Sequence, residues 1–204
     1  MDLTVCVATY GDPSWIDLAE TRAIPSALQT GAAVAHYHHI DSLHAARTQL
    51  LNAVATPWVC FLDADDELEP GYVARMAEAP TDIRVPAVRY VVDTEQRTTG
   101  AHIPRVAGHR HDCTGACLPL GNWIVIGAVV RTELAQTVGW REWACYEDWD
   151  FWLRCWQAGA TVARVPMAVY RAHVRAGSRN RAGTPEQRLE THRSIAKANG
   201  VPVP

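Results

Sequence analysis

An apolar segment that ends in a group of acids constrains the fold of this chain most strongly. Residues Val59 to Leu62 are apolar, and Asp63, Asp65 and Asp66 follow them within four positions. A short apolar run of this kind is typical of a strand buried in a mostly parallel sheet. Ligands of such sheets bind beyond the carboxyl ends of the strands, where these acids would lie. Because residues two apart in an extended segment point the same way, Asp63 and Asp65 are expected to address one ligand.

The charge of this acidic group predicts a metal–phosphate site. Carboxylates crowded at a strand end repel one another unless a cation neutralises them, and a hard divalent cation that carries phosphate is the usual solution. A calcium loop of the helix–loop–helix type is disfavoured, because Leu68 stands where that loop needs glycine. The alternative interpretation is a solvated turn or helix start, which Glu67 and Glu69 fit.

Composition bounds the function without naming it. The 204 residues fit one domain, and the net charge of −3 argues against a nucleic-acid-binding coat or a polybasic membrane binder. No stretch approaches the roughly 18 apolar residues of a spanning helix. The first residues lack the basic start and apolar core of a signal peptide. A cytoplasmic location is expected, with reduced thiols, and Cys6, Cys60 and Cys155 are expected to be core residues.

The amino-terminal half alternates between strand and helix patterns. The predicted elements are a strand from Leu3 to Ala8, a helix from Trp15 capped by Ser14 and restarted or kinked at Pro25, a strand from Ala33 to Ile40, a helix from a Ser42 cap to about Ala55, the acidic strand, and a helix from Pro70 to about Ala79. This order predicts an α/β protein with right-handed crossovers.

The carboxyl-terminal half is less regular. Strands are predicted at Ile83 to Val92, Trp123 to Val130 and Thr161 to Val165, and helices at Arg131 to Val138, Glu147 to Ala158 and after a Thr184 cap. We predict one domain over residues 1–180, followed by a carboxyl-terminal helix and tail over 181–204. The polar segment from about Thr94 to Pro119 is predicted to be mobile. Its His109–Cys117 stretch leaves three interpretations open, namely an acceptor-side flap, a zinc site and a plain loop.

Several motifs occur in an order that resembles the inverting GT-A glycosyltransferases of family 2. They are Thr9-Tyr10 after the first strand, Ser42 to Arg47, Phe61-Leu-Asp-Ala-Asp-Asp66, Tyr146-Glu-Asp-Trp-Asp-Phe-Trp-Leu-Arg154, and Val165-Pro-Met-Ala-Val-Tyr-Arg-Ala-His173. The resemblance covers roughly residues 3–178. A lone Asp-x-Asp is common, but an ordered set at plausible spacing is specific.

The resemblance implies a GT-A fold, a Rossmann-like and mostly parallel sheet flanked by helices. It also implies a transferase that moves a sugar from a nucleotide-diphosphate donor, commonly a UDP sugar, with Mn²⁺ or Mg²⁺ as cofactor. The acceptor hydroxyl would belong to a glycan, protein, lipid or small molecule. The rival hypotheses are a catalytically inactive nucleotide-sugar-binding protein and a metal-dependent nucleotidyltransferase.

The resemblance also implies residue roles. The donor would be bound by Thr9, Tyr10, Asp12, Asp41, Arg47 and Asp63. The metal would be bound by Asp65 and His173, and Asp148 would be the general base, with Glu147 as the alternate. Two departures from the family pattern are the His-rich stretch from His36 to Ser42 and Thr48 in place of the frequent Asn.

Two further groups have competing interpretations. Of the eight Trp residues, three recur at helical spacing and are expected in the core, namely Trp149, Trp152 and Trp156. Trp123 and Trp143 lie in loop-like contexts and are acceptor candidates that would stack on a sugar face. The arginines Arg171, Arg175 and Arg179 suit either a basic lid over the diphosphate or a solvated tail.

Overall fold

A seven-stranded sheet organises the described residues (1–92, 115–174 and 183–203) of this computed structural model. The strands are β1 (Leu3–Tyr10), β2 (Ala33–His39), β3 (Trp58–Leu62), β4 (Glu67–Leu68), β5 (Ile83–Val92), β6 (Val129–Arg131) and β7 (Val162–Val174). Their order is β2-β1-β3-β6-β5-β7-β4. Five strands share one direction, and β4 and β6 run against them. The chain therefore has a mixed, mostly parallel α/β sheet.

Helices flank this sheet. They are α1 (Ser14–Leu18), a π-helical turn (Ala19–Ala23), α2 (Ile24–Gln29), α3 (Leu43–Ala53), α4 (Tyr72–Ala77), a 3-10 helix (Gly115–Leu120), α5 (Thr132–Val138), α6 (Glu147–Gln157) and α7 (Pro185–Ala198). The core lies between the helices and the central strands β1 and β3, whose apolar side chains are almost fully buried.

Local signals place the elements of the amino-terminal half. The predicted β-α-β-α-β order is confirmed, and a new α-helical segment begins next to Pro25 after the π-helical turn. The predicted Ser42 cap is confirmed, because its hydroxyl accepts a hydrogen bond from the Ala45 amide at 3.1 Å. The predicted Ser14 cap is wrong. Pro13 is the cap residue and Ser14 lies inside α1, where its amide donates to the Asp12 side chain at 2.8 Å.

The segment after β3 differs from the predicted extended conformation. The Asp66 amide donates to the Asp63 carbonyl at 3.1 Å, so residues 63–66 form a turn, and Asp63 and Asp65 are not alternate residues of one strand. We call residues 63–66 the acidic turn. The chain then forms β4 instead of a helix start, because Glu67–Leu68 pairs with Tyr170 and Arg171 of β7. Helix α4 begins after Gly71, and Pro70 lies outside it.

Two strand predictions in the carboxyl-terminal half also change. The apolar segment predicted as a strand from Trp123 is irregular up to Ala128, and only Val129–Arg131 pairs with the sheet. Strand β7 continues past Val165 to Val174, because it pairs along its length with β5. The Thr94–Pro119 and His109–Cys117 predictions lie largely outside the described residues, as do Arg175 and Arg179.

Helix α6 presents its aromatic face to the core, as its spacing predicts. Trp149 and Trp152 are fully buried, and Trp156 is partly buried. Helix α7 packs against α6, where the Asn199 side chain donates to Asp150 at 2.8 Å. The predicted Thr184 capping box of α7 is confirmed. Among the described helices, none combines the length and apolarity that crossing a membrane requires.

Candidate active site

Arg47 joins two acidic segments at the carboxyl end of the central strands. Helix α3 carries it on a buried face, with 3% of the residue exposed. Its guanidinium donates to Asp63 at 3.0 Å and to Glu147 at 2.7 Å, and it lies 5.0 Å from the Trp140 ring centroid. Arg47 thus fixes the acidic turn against the start of α6.

Asp148 is the carboxylate whose environment best suits proton transfer. One oxygen accepts a hydrogen bond from the Asn122 side chain at 2.8 Å, and the other accepts the Trp149 amide at 2.9 Å. Burial and the neighbouring Glu147 charge raise the pKa of Asp148 to about 7, although Arg47 and the two hydrogen bonds act in the opposite direction. A carboxylate with this pKa can accept a proton near neutrality.

Asp66 is a buried acid to which sequence reasoning gave no separate role. Its carboxylate lies 2.5 Å from the Tyr170 hydroxyl and accepts the His173 amide at 2.7 Å. Burial and the charges of Asp63 and Asp65 raise the pKa of Asp66 well above its ordinary value. Asp66 therefore ties the acidic turn to β7, and the doubled aspartate in the motif is the sequence signal for it.

The two predicted metal ligands do not form a ready-made cage. The Asp65 carbonyl accepts a hydrogen bond from Arg22 at 2.9 Å, and the His173 imidazole lies 2.7 Å from the Glu67 carboxylate. Glu67 also pairs with Arg171 at 3.2 Å. Within the described ranges, no three His, Cys, Asp or Glu side chains are grouped to hold a metal ion.

A cavity of about 450 Å³ lies between the acidic turn and the start of α6. Its lining combines charged, polar and apolar side chains. They are Arg47, Asp63, Asp66, Val88, Tyr90, Asn122, Trp123, Ile124, Val125, Ile126, Tyr146, Glu147, Asp148, Tyr170 and Ala172. We call it the acidic cavity. Asp148 and Trp123 both line it, but Trp123 is almost fully buried, with 2% of the residue exposed, and so has no open ring face for the predicted stacking on a sugar.

A second cavity, of about 290 Å³, shares Glu147 with the first. Its lining consists of Tyr10, Asp41, Ser42, Leu43, His44, Arg141, Glu142, Trp143, Ala144 and Glu147. We call it the aromatic cavity. It brings the predicted donor residues Tyr10 and Asp41 together with Trp143, which was predicted on the acceptor side.

The remaining predicted donor residues have other partners. The Thr9 hydroxyl is buried between His36 and His38, at 2.9 and 3.1 Å from their ring nitrogens. Asp12 is exposed and accepts a hydrogen bond from the Ser14 amide. Sequence reasoning missed Asn122, Tyr146 and Tyr170. Asn122 follows Gly121 in a turn-forming pair, a weak signal, and the other two lie within quoted motifs.

A family model described as "Glycosyl transferase family group 2" matches residues 58–181, more than half of the chain. The chain belongs to this family. No curated protein matches it. Both acidic segments and β7 fall within the matched residues.

Solved structures of a Staphylococcus aureus protein, TarS, share the fold of this family 2 chain. TarS 1–349 in complex with UDP-GlcNAc is 16% identical, with a TM-score of 0.67, over 96% of this chain and 65% of that one. The complex with UDP is 15% identical, with a TM-score of 0.64, over 98% and 65%. The chain thus spans somewhat less than two thirds of this relative. The likeness shows that the family 2 chain has the GT-A fold.

The donor set of this glycosyltransferase family member fits a hard divalent cation that shares its coordination with a substrate. The Asp63 side chain is 41% exposed, and Asp65 keeps some exposure beside it. Such cations are commonly held by one or two carboxylates together with phosphate oxygens, so a cage of three protein ligands is not required.

Proposed function

We propose that this protein is an inverting glycosyltransferase that moves a sugar from a nucleotide-diphosphate donor, with UDP sugars as the first candidates, to an acceptor hydroxyl. The observation that carries the proposal is the position of Asp148, a carboxylate with a pKa of about 7 that lines the same cavity as Asp63 and Asp66. Family membership and the UDP-GlcNAc and UDP complexes of TarS support it.

Asp148 would accept the proton of the acceptor hydroxyl as that hydroxyl attacks the sugar. Asn122 orients the carboxylate through its 2.8 Å hydrogen bond, and burial together with the negative charge of Glu147 keeps the pKa of Asp148 high. Glu147 itself is engaged by Arg47 at 2.7 Å, which favours Asp148 as the base. A single displacement with one base inverts the anomeric centre.

The diphosphate of the donor would lie beside the acidic turn. Asp63 and Asp65 would hold Mn²⁺ or Mg²⁺, and the bound cation would stabilise negative charge on the leaving diphosphate. Arg47 contributes by fixing Asp63 in place. His173 would approach the metal and the diphosphate from β7. The acidic turn is joined to this strand through Asp66.

The nucleobase would occupy the aromatic cavity. Tyr10 and Trp143 offer ring faces for stacking, and Asp41 offers a carboxylate that can accept a base N–H. Since Glu147 lines both cavities, a donor bound in this way would extend from the aromatic cavity into the acidic one. Trp143 is therefore reassigned to the donor side, and Trp123 is dropped as an acceptor candidate because it is almost fully buried.

A panel of nucleotide sugars tests the proposal. UDP, GDP and dTDP sugars would be compared by thermal shift with and without Mn²⁺, because a ligand that binds only the folded state raises the midpoint. We expect at least one UDP sugar to raise it in a Mn²⁺-dependent way, and slow release of UDP to follow. Stabilisation without any release, even with an acceptor library, would support the inactive binding protein instead.

A pair of tryptophan variants tests where the nucleobase binds. Trp143→Ala should weaken UDP binding by about tenfold, roughly the 1.4 kcal/mol of one stacking contact. Trp15→Ala is the matched control, because Trp15 is outside both cavities and partly exposed. Equal affinities of the two variants for UDP would argue against the aromatic cavity as the nucleobase site.

A further inference from the structure

The residue before the acidic pair of α6 has an unfavourable backbone conformation. Tyr146 has φ 61° and ψ 23°, and it is the one non-glycine residue with positive φ in the described parts of the chain. A bulky side chain adopts this left-handed region rarely, and the surrounding structure must hold it there. The conformation turns the chain directly into Glu147 and Asp148, the first two residues of α6.

A histidine from α7 contacts the aromatic residues on both sides of this pair. The His192 ring stacks on Trp149, with centroids 4.1 Å apart and planes inclined by 15°. It also meets Tyr146 at 5.9 Å in a near-perpendicular arrangement. Trp149 is itself fixed, because its indole N–H donates to the Leu118 carbonyl at 2.8 Å. His192 thus connects Tyr146 to an immobile ring.

Helix α7 is anchored independently of His192. Ile195 and Ala196 are fully buried. Near the end of the helix, Asn199 donates to Asp150 at 2.8 Å and accepts from Gln157 at 2.8 Å. The helix lies beyond residues 58–181, so the matched family region does not include it.

We propose that His192 is a positioning residue, whose ring holds Tyr146 in its left-handed conformation and thereby sets the direction of Asp148 at the start of α6. This inference rests on the proposed function, in which Asp148 is the base. Burial lowers the pKa of His192, so the ring is neutral near pH 7 and acts as a flat stacking surface. A phenyl ring should replace it.

Three variants test the inference, namely His192→Ala, His192→Phe and, as a control on the exposed side of α7, Leu189→Ala. The first readout is amide hydrogen exchange. In His192→Ala, exchange at residues 147–150 should accelerate by about tenfold while the second half of α7 keeps its protection. His192→Phe and Leu189→Ala should both match the unmodified protein.

The second readout is turnover of UDP-GlcNAc with Mn²⁺ as a function of pH. His192→Ala should lower kcat by about tenfold or more, with KM for the donor unchanged within about twofold, because a displaced base affects the reaction and not donor binding. Burial is the main cause of the raised pKa of Asp148, so water admitted beside Tyr146 should lower this pKa. The acid limb of the pH profile, where turnover falls as Asp148 is protonated, should then move to lower pH. The phenylalanine variant should restore both quantities.

The outcomes separate this inference from the function on which it rests. If the unmodified protein turns over no nucleotide sugar, the proposed function fails, and the exchange data alone decide whether His192 holds the start of α6. Unchanged exchange at 147–150, or equal loosening along all of α7, would overturn the positioning role. The positioning role would also be overturned if His192→Ala lost turnover without a shift of the acid limb and His192→Phe did not restore turnover.

Discussion

The acidic turn and the start of α6 each contain three carboxylates, yet they balance their charge differently. Each has one acid held by Arg47, namely Asp63 in the turn and Glu147 in the helix. Each also has one buried acid. In α6 this is Asp150, which pairs with the guanidinium of Arg154 at 2.8 Å. In the turn it is Asp66, which accepts hydrogen bonds from the neutral Tyr170 hydroxyl and from the His173 amide.

Under the proposed function, this difference suits the two regions to different tasks. The start of α6 has a second cation of its own, so it can keep a single carboxylate, Asp148, ready to take up a proton. In the acidic turn, Arg47 pairs with Asp63, and burial together with the charges of Asp63 and Asp65 raises the pKa of Asp66. A turn that groups three aspartates within four residues is suited to a divalent cation.

The largest effect should come from the helix side. Asp148→Asn removes the base but keeps its shape, so turnover should fall by roughly two to four orders of magnitude. UDP binding, measured by calorimetry with Mn²⁺, should remain within about twofold of normal, since the turn is untouched. Near-normal turnover would transfer the role to Glu147 and would remove the functional contrast between the regions.

Loss of the shared cation should affect both regions at once. Arg47→Met leaves Asp63 and Glu147 without their buried partner and should lower the free energy of unfolding by about 3–5 kcal/mol, or roughly 6–20 °C in Tm. Arg131→Met is the control, because Arg131 pairs with Asp82 at an exposed position and should cost at most about 1 kcal/mol. Similar losses in both variants would show that Arg47 does not join the two regions.

The turn side should show its effect in metal-dependent binding. Asp65→Ala should abolish the gain in UDP affinity that Mn²⁺ provides, a loss of at least about tenfold. The metal-independent affinity should be unchanged. Calorimetry with and without Mn²⁺ measures both, and Asp17→Ala, an exposed acid on α1, is the control. A full Mn²⁺ effect in the variant would exclude Asp65 from the metal site.

The pH dependence of turnover should report the ionisation of Asp148 on the helix side. With a pKa of about 7, Asp148 is mostly ionised at about pH 8 and mostly protonated at about pH 6, so turnover should rise about tenfold between them. The folded protein holds this proton more tightly than the unfolded chain. Protonation of Asp148 therefore stabilises the folded state fully below about pH 4, and this stabilisation is lost as the pH rises through about 7. Initial rates measured across this range, with saturating donor, test the expected acid limb.

The smallest effect should come from Asp66→Asn. If Asp66 is protonated, an amide can replace it, donating to Tyr170 and accepting from the His173 amide. The free energy of unfolding should then change by less than about 1 kcal/mol, whereas Asp66→Ala should cost about 1–3 kcal/mol through unsatisfied buried groups. Urea unfolding of the two variants is the measurement. Equal destabilisation would mean that the native turn contains an ionised Asp66.

The elements that sequence reasoning located are those set by local interactions. The Ser42 cap, the Thr184 capping box and the bounds of β5 follow from residues close to one another in the chain. The motif containing Asp63 and the pair Glu147–Asp148 were likewise found from their local pattern and family resemblance, and the structure places both around one cavity.

The features that sequence reasoning did not find depend on distant partners. Strand β4 exists because β7 pairs with it, and that pairing also turns Asp66 inward. The apolar segment after Trp123 is irregular because it lines the acidic cavity instead of joining the sheet. The side of the site on which Trp143 lies depends on how the loop before α6 packs near Tyr10. No local pattern contains this information.

The pairing of β4 with β7 also has a kinetic consequence. Glu67 pairs with Arg171, and Asp66 bonds to His173 across 107 positions of sequence. Contacts between such distant segments form late, because closing a long loop must precede them. The acidic turn should therefore be among the last parts of the domain to acquire its native shape. During synthesis, it must wait for β7 to emerge, so the chemistry of the site is complete only when folding is nearly finished.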